Sequence, residues 1–414
     1  LQINMIKINE YYWVIGGGAM QVPLIEEAKR FGFKIIVSDL SSNCICKPLA
    51  DIFFNIDIFD INLHIKKADE VISFGNKIVG VLAAGIDAPE TMASLALYLK
   101  LPTVDPKIAN LVHNKHLFRE KLRELGYPMP KFRKIDLNSL NKLKDFIDEI
   151  QFPLIVKNSD SSGSRGTKIF YKDNYDDILS IVKEAMIVSK SGIALIEECW
   201  EGKEQTVETI FDINGVFHPC FITDRIFDRS SGFAIELGLR SPSILNTEIQ
   251  KEMFQLAKDI SIDLGIDKGA AKFDMILTKN GPRVIEMTVR LSGGFDCQYL
   301  VPAASGKNIL KTAILTSIGK TFSPDLLKDK KNRVALSESI WPKPGIIKKI
   351  VGLEKVKNFK GFEFILFRIK VGDLVEKYTD CTKRVCFIIA SGKNYEEARE
   401  NIDKIKNEIT IELD

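Results

Sequence analysis

The sequence predicts a mixed α/β chain (α/β with α+β parts): a parallel αβ unit first, an α+β body next, and a strand-rich module at the end. Strand-like and helix-like segments alternate over the first hundred residues. From Pro153 to Asp228 strand patterns dominate, and after Ser323 further strands close on a charged helix near Tyr395 to Glu408. With 414 residues, roughly two to four folding units are expected.

Tyr12 to Ile15 is a short apolar strand that ends in Gly16-Gly17-Gly18. A helix follows through Leu24, Ala28 and Phe31 and stops at Gly32. Phe33 to Val37 is the next strand, ending at Asp39, so the unit is βαβ and the sheet parallel. The strand Val79 to Ala84 and a helix at Thr91 to Leu99 continue the pattern. Asn114 is the expected N-cap of a helix whose face is Leu117, Phe118, Leu122 and Leu125, stopped by Gly126 and Pro128. A second helix carries Ile249, Met253, Ala257, Ile260 and Leu264 and ends at Gly265. Lys328 to Arg333 reads as a linker. The four residues before Met5 carry no structural weight.

Composition excludes several classes. Apolar residues make up 45%, enough for real cores, and the formal charge is only +3. Basic residues are scattered among acids, which argues against a nucleic-acid face. No apolar run reaches the ~20 residues of a membrane span, and no secretory signal is visible. Seven cysteines follow no framework spacing, which suits unpaired thiols in a reducing cytoplasm. The four histidines are too dispersed for a His-based metal site.

The strongest chemical signal lies between Ala270 and Gly294. Lys272-Phe273-Asp274-Met275-Ile276-Leu277 and Val284-Ile285-Glu286-Met287-Thr288-Val289-Arg290 flank a turn at Asn280-Gly281, which predicts an antiparallel hairpin. Side chains alternate along a strand. Phe273, Met275, Leu277, Ile285, Met287 and Val289 are the expected core face. Asp274, Glu286, Thr288 and Arg290 take the other face. Two converging carboxylates can hold magnesium for nucleotide phosphates, and an arginine beyond them can neutralise a phosphoryl group or hold a carboxylate. The alternative is an amphipathic hairpin with a surface salt bridge. A strict two-residue turn at Asn280-Gly281 would put Asp274 opposite Met287 and on the wrong face. An odd loop or a bulge is therefore required, and Pro282 suggests the longer loop.

Leu154 to Lys157 is a strand ending in lysine, followed by Asp160-Ser161-Ser162-Gly163-Ser164-Arg165-Gly166. Small residues let backbone amides approach phosphate oxygens; a flexible hairpin loop is the equal alternative. Ala194 to Glu204 runs an apolar strand into the acidic, aromatic turn Glu197-Glu198-Cys199-Trp200-Glu201-Gly202. Its backbone could meet an adenine edge, or it is merely an exposed acidic loop. The opening glycine run lacks the third glycine of a dinucleotide fingerprint, since Gln21 stands there, and reads as a tight strand-to-helix turn.

The order and spacing of these elements resemble the ATP-grasp superfamily, over most of the chain. The resemblance extends to the branch of phosphoribosylglycinamide synthetase-like enzymes, L-amino-acid ligases and carbamoyl-phosphate synthase large subunits. It implies an αβ domain at 1–110, the grasp at 111–325 with a small lid at about 150–205, and a C-terminal module at 326–414. Trp341-Pro342-Lys343-Pro344-Gly345 and Lys370-Val371-Gly372-Asp373 belong to that module. By resemblance, Lys115 and Lys157 contact phosphates, and Ser161, Ser162, Gly163, Ser164, Arg165 and Gly166 form a mobile lid. Glu197, Glu198 and Trp200 meet adenine, and Glu204 the ribose. Asp274 and Glu286 hold one or two Mg2+ (Mn2+ as a substitute), with Thr288 where asparagine is usual. Arg290 steadies the acyl phosphate or the acceptor's carboxylate, with Gly293 and Gly294 supplying amides. Leu291 to Asp296 lacks the glutamate-histidine signature of biotin carboxylases, which disfavours bicarbonate chemistry.

The implied reaction joins a small carboxylate to an amine using ATP, through an acyl phosphate. Specificity is expected from Asp224 to Pro242, with Glu236 and Arg240 as candidate contacts. Amino-acid ligation comes first and a glycinamide-type ligation second. The rivals are a nicotinamide oxidoreductase built on the glycine turn and a non-catalytic ATP-binding protein, which Thr288 favours. The implied partners are small molecules, without nucleic acid or membrane, and a homodimer is compatible with the resemblance.

Overall fold

The computed structural model describes residues 9–414; residues 1–8, Met5 and those before it included, lie outside that range. Four strands, β1 (Glu10–Ile15), β2 (Lys34–Asp39), β3 (Ile52–Asn55) and β4 (Lys77–Ala83), pair in parallel in the order β3-β2-β1-β4. The crossovers contain α1 (Val22–Arg30) and α2 (Ile61–Ser73). Tyr12, Trp13, Val14 and Ile15 are fully buried, as a strand covered on both faces must be. The Gly17 amide donates to Asp39 Oδ2 at 2.7 Å, so the acid ending β2 closes the glycine turn itself. A Cβ at Gly17 would come within 2.4 Å of Cys44 Sγ, so close packing alone accounts for glycine there.

Next come α3 (Pro89–Tyr98), α4 (Pro106–His113) and α5 (Lys115–Glu124). Phe118 and Leu122 are buried as expected. Asn114 is not a side-chain cap for α5. Its Nδ2 donates to the Asn110 carbonyl at 2.9 Å and closes the end of α4, which lies immediately before it.

A second sheet, antiparallel, has the order β5-β8-β6-β7, from β5 (Phe132–Ile135), β6 (Leu154–Asn158), β7 (Lys168–Phe170) and β8 (Ala194–Glu198). The helices α6 (Leu143–Glu149) and α7 (Tyr175–Val188) cover it. The strand-dominated reading of 153–228 misses α7. Its signals are an Asn174 cap that accepts from the Asp177 amide and a buried stripe of Ile178, Ile181, Val182 and Ala185.

The third sheet has eight strands, in the order β13-β12-β9-β10-β11-β14-β18-β16. It comprises β9 (Lys203–Phe211), β10 (Phe217–Asp228), β11 (Ile235–Ser241), β12 (Gly269–Thr278), β13 (Gly281–Thr288) and β14 (Val334–Glu338). The remaining two are β16 (Phe362–Phe367) and β18 (Cys386–Gly392). A small outer sheet joins β15 (Gly345–Val351), β17 (Leu374–Val375) and β19 (Thr410–Leu413). The helix α8 (Thr247–Asp263) buries Met253, Ala257 and Ile260 against the core face of β9, β12 and β13. Three short helices, α9 (Val301–Ser305), α10 (Ile309–Ser317) and α11 (Leu353–Val356), fill the connections, and α12 (Tyr395–Glu408) packs on β18. Of the strands after residue 330, β14, β16 and β18 thus extend the same sheet that carries β12 and β13, which brings residues from distant parts of the chain to one cleft.

Candidate active site

The hairpin turns one residue earlier than the Asn280-Gly281 motif suggests. Thr278 pairs with Gly281, leaving Lys279-Asn280 as a two-residue loop rather than a longer one. The parity problem is solved instead by a bulge. Met275 pairs with Val284 but Asp274 pairs with Glu286, so Ile285 is the extra residue. The bulge also corrects the expected core face: Val284 is buried in the core, while Ile285 lines the cleft. Arg119, from α5, donates from Nη2 to the Ile285 carbonyl at 2.6 Å and so occupies the acceptor that the bulge removes from the ladder.

The cleft is a cavity of about 710 Å³ between the β5-β8-β6-β7 sheet, the long sheet, the loop after β4 and the C-terminal strands. Its floor is the alternate face of β9, β12 and β13. Asp274 is 2% exposed and bound by Lys272 Nζ at 2.5 Å and Arg225 Nη1 at 3.0 Å. Glu286 faces Lys115 Nζ at 3.5 Å. Burial raises the Asp274 carboxyl, against the pull of Arg225 and Lys272. Burial also opposes ionisation of Glu286, but Lys115 and Lys272 outweigh it and hold that carboxyl well below the usual range.

Among the described residues no group of three or more His, Cys, Asp or Glu side chains could hold a metal ion. Two carboxylates facing each other still fit Mg2+, which takes one or two protein carboxylates and completes its shell with phosphates and water. Thr288 does not line the main cavity. Its Oγ1 is buried without a hydrogen-bond partner, in a small adjoining pocket with Asp87, Lys115, Glu286 and Arg290.

Lys157 on β6 and Glu197 on β8 meet at one wall of the cavity. Lys157 Nζ donates to Glu197 Oε2 at 2.8 Å, and Arg119 Nε donates to Glu197 Oε1 at 3.0 Å. Burial would raise Glu197, but the two cations hold its carboxyl down at about 2. Glu197 is therefore an internal counterion rather than a free adenine contact. The amides of Glu198 and Cys199 are also taken, by the carbonyls of Lys131 and Pro153 at 2.9 Å each. Trp200 lines the cavity, and so does Glu204, which is paired with Arg225 at 3.5 Å and with Arg229.

The 160–166 loop is only partly where the phosphate-loop reading puts it. Ser161, Ser162, Gly163 and Ser164 line the cavity; Arg165 and Gly166 do not. Arg165 Nη2 reaches Asp87 Oδ2 at 3.1 Å, and the Ser162 amide donates to the same oxygen at 3.2 Å. Gly166 has φ +57° and packs on α7, where a Cβ would lie 2.9 Å from the Ala185 Cα. The Gly163 carbonyl accepts from the Cys381 amide at 3.0 Å. The loop thus bridges the N-terminal domain and the C-terminal strands.

Arg290 lines the cavity, with Nη2 3.9 Å from Asp87 Oδ1. Burial opposes ionisation of Asp87, but Arg290 and Ser162 hold its carboxyl below the usual range. Gly293 and Gly294 also line the cavity, and a Cβ on Gly85, in the loop after β4, would lie 2.9 Å from the Gly293 Cα. Glu236 is in the cleft, clamped by Arg225 Nε at 2.8 Å and Arg384 Nη2 at 3.0 Å. Arg240 is not; its guanidinium lies 4.6 Å from the Tyr395 ring centroid, outside the cavity.

Sequence reasoning missed Arg119, Asp87, Lys272, Arg225, Arg384 and Asp296. Lys272 was legible, since it precedes Asp274 by two on one strand. So was Arg119, one helical turn after Lys115. Asp87 follows a parallel strand at its carboxyl end, where open sheets hold ligands. Arg225, on β10, falls within the 224–242 stretch but was not singled out, and Arg384, from the segment before β18, carries no local signal.

Residues 150–298 match the family model described as ATP-grasp domain, and residues 340–414 match L-amino acid ligase C-terminal domain 2. The chain thus contains an ATP-grasp domain. It is 25% identical, over 334 residues, to the phosphoribosylamine–glycine ligase of Caldanaerobacter subterraneus subsp. tengcongensis, covering 75% of this chain and 76% of that one. It is 23% identical to the uncharacterized protein y4rH of Sinorhizobium fredii, covering 76% of this chain but only 64% of that relative. In three dimensions it resembles the L-amino acid ligase of Bacillus licheniformis, with a TM-score of 0.80 at 22% identity, covering 99% of this chain and 100% of that one. At that identity the structural likeness speaks to fold.

Proposed function

We propose that the protein is an ATP-dependent carboxylate–amine ligase that works through an acyl phosphate, with an amino acid or similar small metabolite as substrate. One observation carries the reading: the bulge at Ile285 turns Asp274 and Glu286 toward each other in a cleft ringed by Lys115, Lys157, Lys272, Arg225 and Arg290. Phosphoryl transfer needs positioning and charge neutralisation more than covalent help, and this ring supplies both.

In this reading adenine sits beside Trp200, beyond the two amides already engaged at Glu198 and Cys199. Lys115 and Lys157 take the phosphates, and Glu197 fixes the Lys157 ammonium from below. Mg2+ bound by Asp274 and Glu286 would neutralise phosphate charge. A substrate carboxylate steadied by Arg290 attacks the γ-phosphate, ADP leaves, and an amine then displaces phosphate. The 161–164 segment, held by Asp87 and Cys381, keeps water out.

The cleft supports small-molecule partners, and a homodimer is compatible with it. The seven cysteines, none of them paired, suit the cytoplasm. No helix among the described residues is long and apolar enough to cross a membrane. Magnesium-dependent ADP release, screened against carboxylates and amines with Glu286→Ala as control, tests the proposal. Release that needs both substrates and disappears in the control supports it. ATP binding without release across the screen would favour the non-catalytic reading.

A further inference from the structure

The carboxylates around the cleft are almost all engaged. Glu197 is held by Arg119 and Lys157, and Glu204 by Arg225 and Arg229. Glu236 is held by Arg225 and Arg384, Asp274 by Lys272 and Arg225, and Glu286 by Lys115. Asp39 accepts from the Gly17 and Ser41 amides, and Glu198 sits at the exposed rim. Asp296 differs from all of these. It lines the cavity and is 2% exposed, yet among the described residues it has neither a cation nor a backbone amide on its carboxylate. Oδ2 has only a long contact, 3.5 Å, from Thr223 Oγ1, and Oδ1 has no hydrogen-bond partner. A buried carboxylate oxygen without a protein partner, on a residue that lines a cavity, calls for a hydrogen-bond donor from outside the fold.

Asp296 is also well placed. It lies six residues after Arg290 and in the same turn as Gly293 and Gly294. Gly294, with φ +69°, turns the chain there, and a Cβ on it would lie 3.9 Å from Asp296 Oδ1, so the two residues are neighbours in the cavity wall.

Resting on the ligase reading above, we infer that Asp296 is the seat of the acceptor amine and takes a proton from it. The group that fits a bare carboxylate oxygen in this cavity is an ammonium. The ammonium N–H bond breaks, the Oδ1–H bond forms, and the nitrogen keeps the electron pair. The neutral amine attacks the acyl carbon, forming C–N. The acyl C–O bond breaks toward phosphorus, and phosphate departs with the electron pair and the second amine proton. The surroundings favour this direction: burial, with Glu236 and Glu208 nearby, makes Asp296 hold a proton far more readily than an ordinary aspartate.

The test compares two nucleophiles. The twenty L-amino acids and a set of simple aliphatic and hydroxy acids are each offered with ATP and Mg2+. The acceptor is either a mixture of L-amino acids, whose amines are protonated near neutrality, or hydroxylamine, which is already neutral there. Wild type should form amide in the first arm and hydroxamate in the second. The near-isosteric Asp296→Asn should lose about 100-fold in amide formation while hydroxamate formation stays within about threefold. Its amide rate should also recover as pH rises and the free amine supplies itself. Equal losses in both arms, or no recovery at high pH, would overturn the assignment. No ADP in either arm with wild type would overturn the ligase reading and this one with it; full amide formation by Asp296→Asn would overturn this one alone.

Discussion

Arg119 and Glu197, both 1% exposed in their side chains, form a buried ion pair at 3.0 Å that ties helix α5 to the lid strand β8. The same guanidinium holds the bulge carbonyl of Ile285, so one residue connects the lid, the lysine at Lys157 and the strand that carries Glu286. Replacing it should be felt in both stability and chemistry. Arg119→Met leaves Glu197 with Lys157 alone, and a half-broken buried pair is expected to lower unfolding free energy by about 3–5 kcal/mol. Urea titration of wild type and variant measures this; a change below about 1 kcal/mol would show that the pair carries little.

Glu286→Gln keeps the shape of the hairpin and removes one of its two facing charges. Magnesium-dependent ADP release should fall at least about 100-fold. Asp274→Asn should also abolish turnover. EDTA should silence wild type and be reversed by excess Mg2+. Undiminished turnover in Glu286→Gln would remove the carboxylate pair from the mechanism.

The hairpin shows how far the sequence could be read. Alternation along β12 and β13 identified Asp274 and Glu286 as partners and showed that a bulge or an odd loop was needed. It could not place the irregularity, because the choice rests on the Ile285 carbonyl finding Arg119, 166 residues away. Glu197 was legible as part of the site but not as a counterion, since Arg119 and Lys157 reach it from two other elements. Asp274 with Lys272 was a local pair, whereas Arg225 and Arg384 meet at Glu236 only because β10, β11 and the segment before β18 converge on the cleft. The βαβ start was legible throughout, its strands being apolar on both faces. The helix α7 was lost among strands because its stripe is rich in β-branched residues, which suit either structure.

Gly166 offers a test independent of catalysis. Its φ of +57° is unfavourable for other residues, and a Cβ would press on the α7 backbone at Ala185, 2.9 Å away. Backbone cannot give way as a flexible side chain does. Gly166→Ala should therefore destabilise by about 1–3 kcal/mol in urea. Gly32→Ala shares the positive φ (+85°) but has no atom within 4 Å of the new Cβ, so it should cost less. Equal effects would mean that strain alone, and not the contact with α7, sets the penalty.

The two clamped glutamates give stability a pH dependence of definite sign. Glu197 and Glu236 each titrate at about 2 in the folded protein, below the ordinary 4.5, because burial is outweighed by Arg119 and Lys157 in one case and by Arg225 and Arg384 in the other. A depressed folded value means the unfolded chain binds protons first as pH falls. The contribution is therefore fully present above about pH 4.5 and is lost progressively between there and about pH 2, amounting to about 3 kcal/mol for each residue. Urea unfolding at pH 6, 4.5 and 3 should show a steep loss in wild type over the lower interval. Glu197→Gln, less stable at pH 6, should lose less between pH 4.5 and 3, since one of the two titrating clamps is gone. A parallel fall in both proteins would mean that the Glu197 carboxylate is not held down by its two cations.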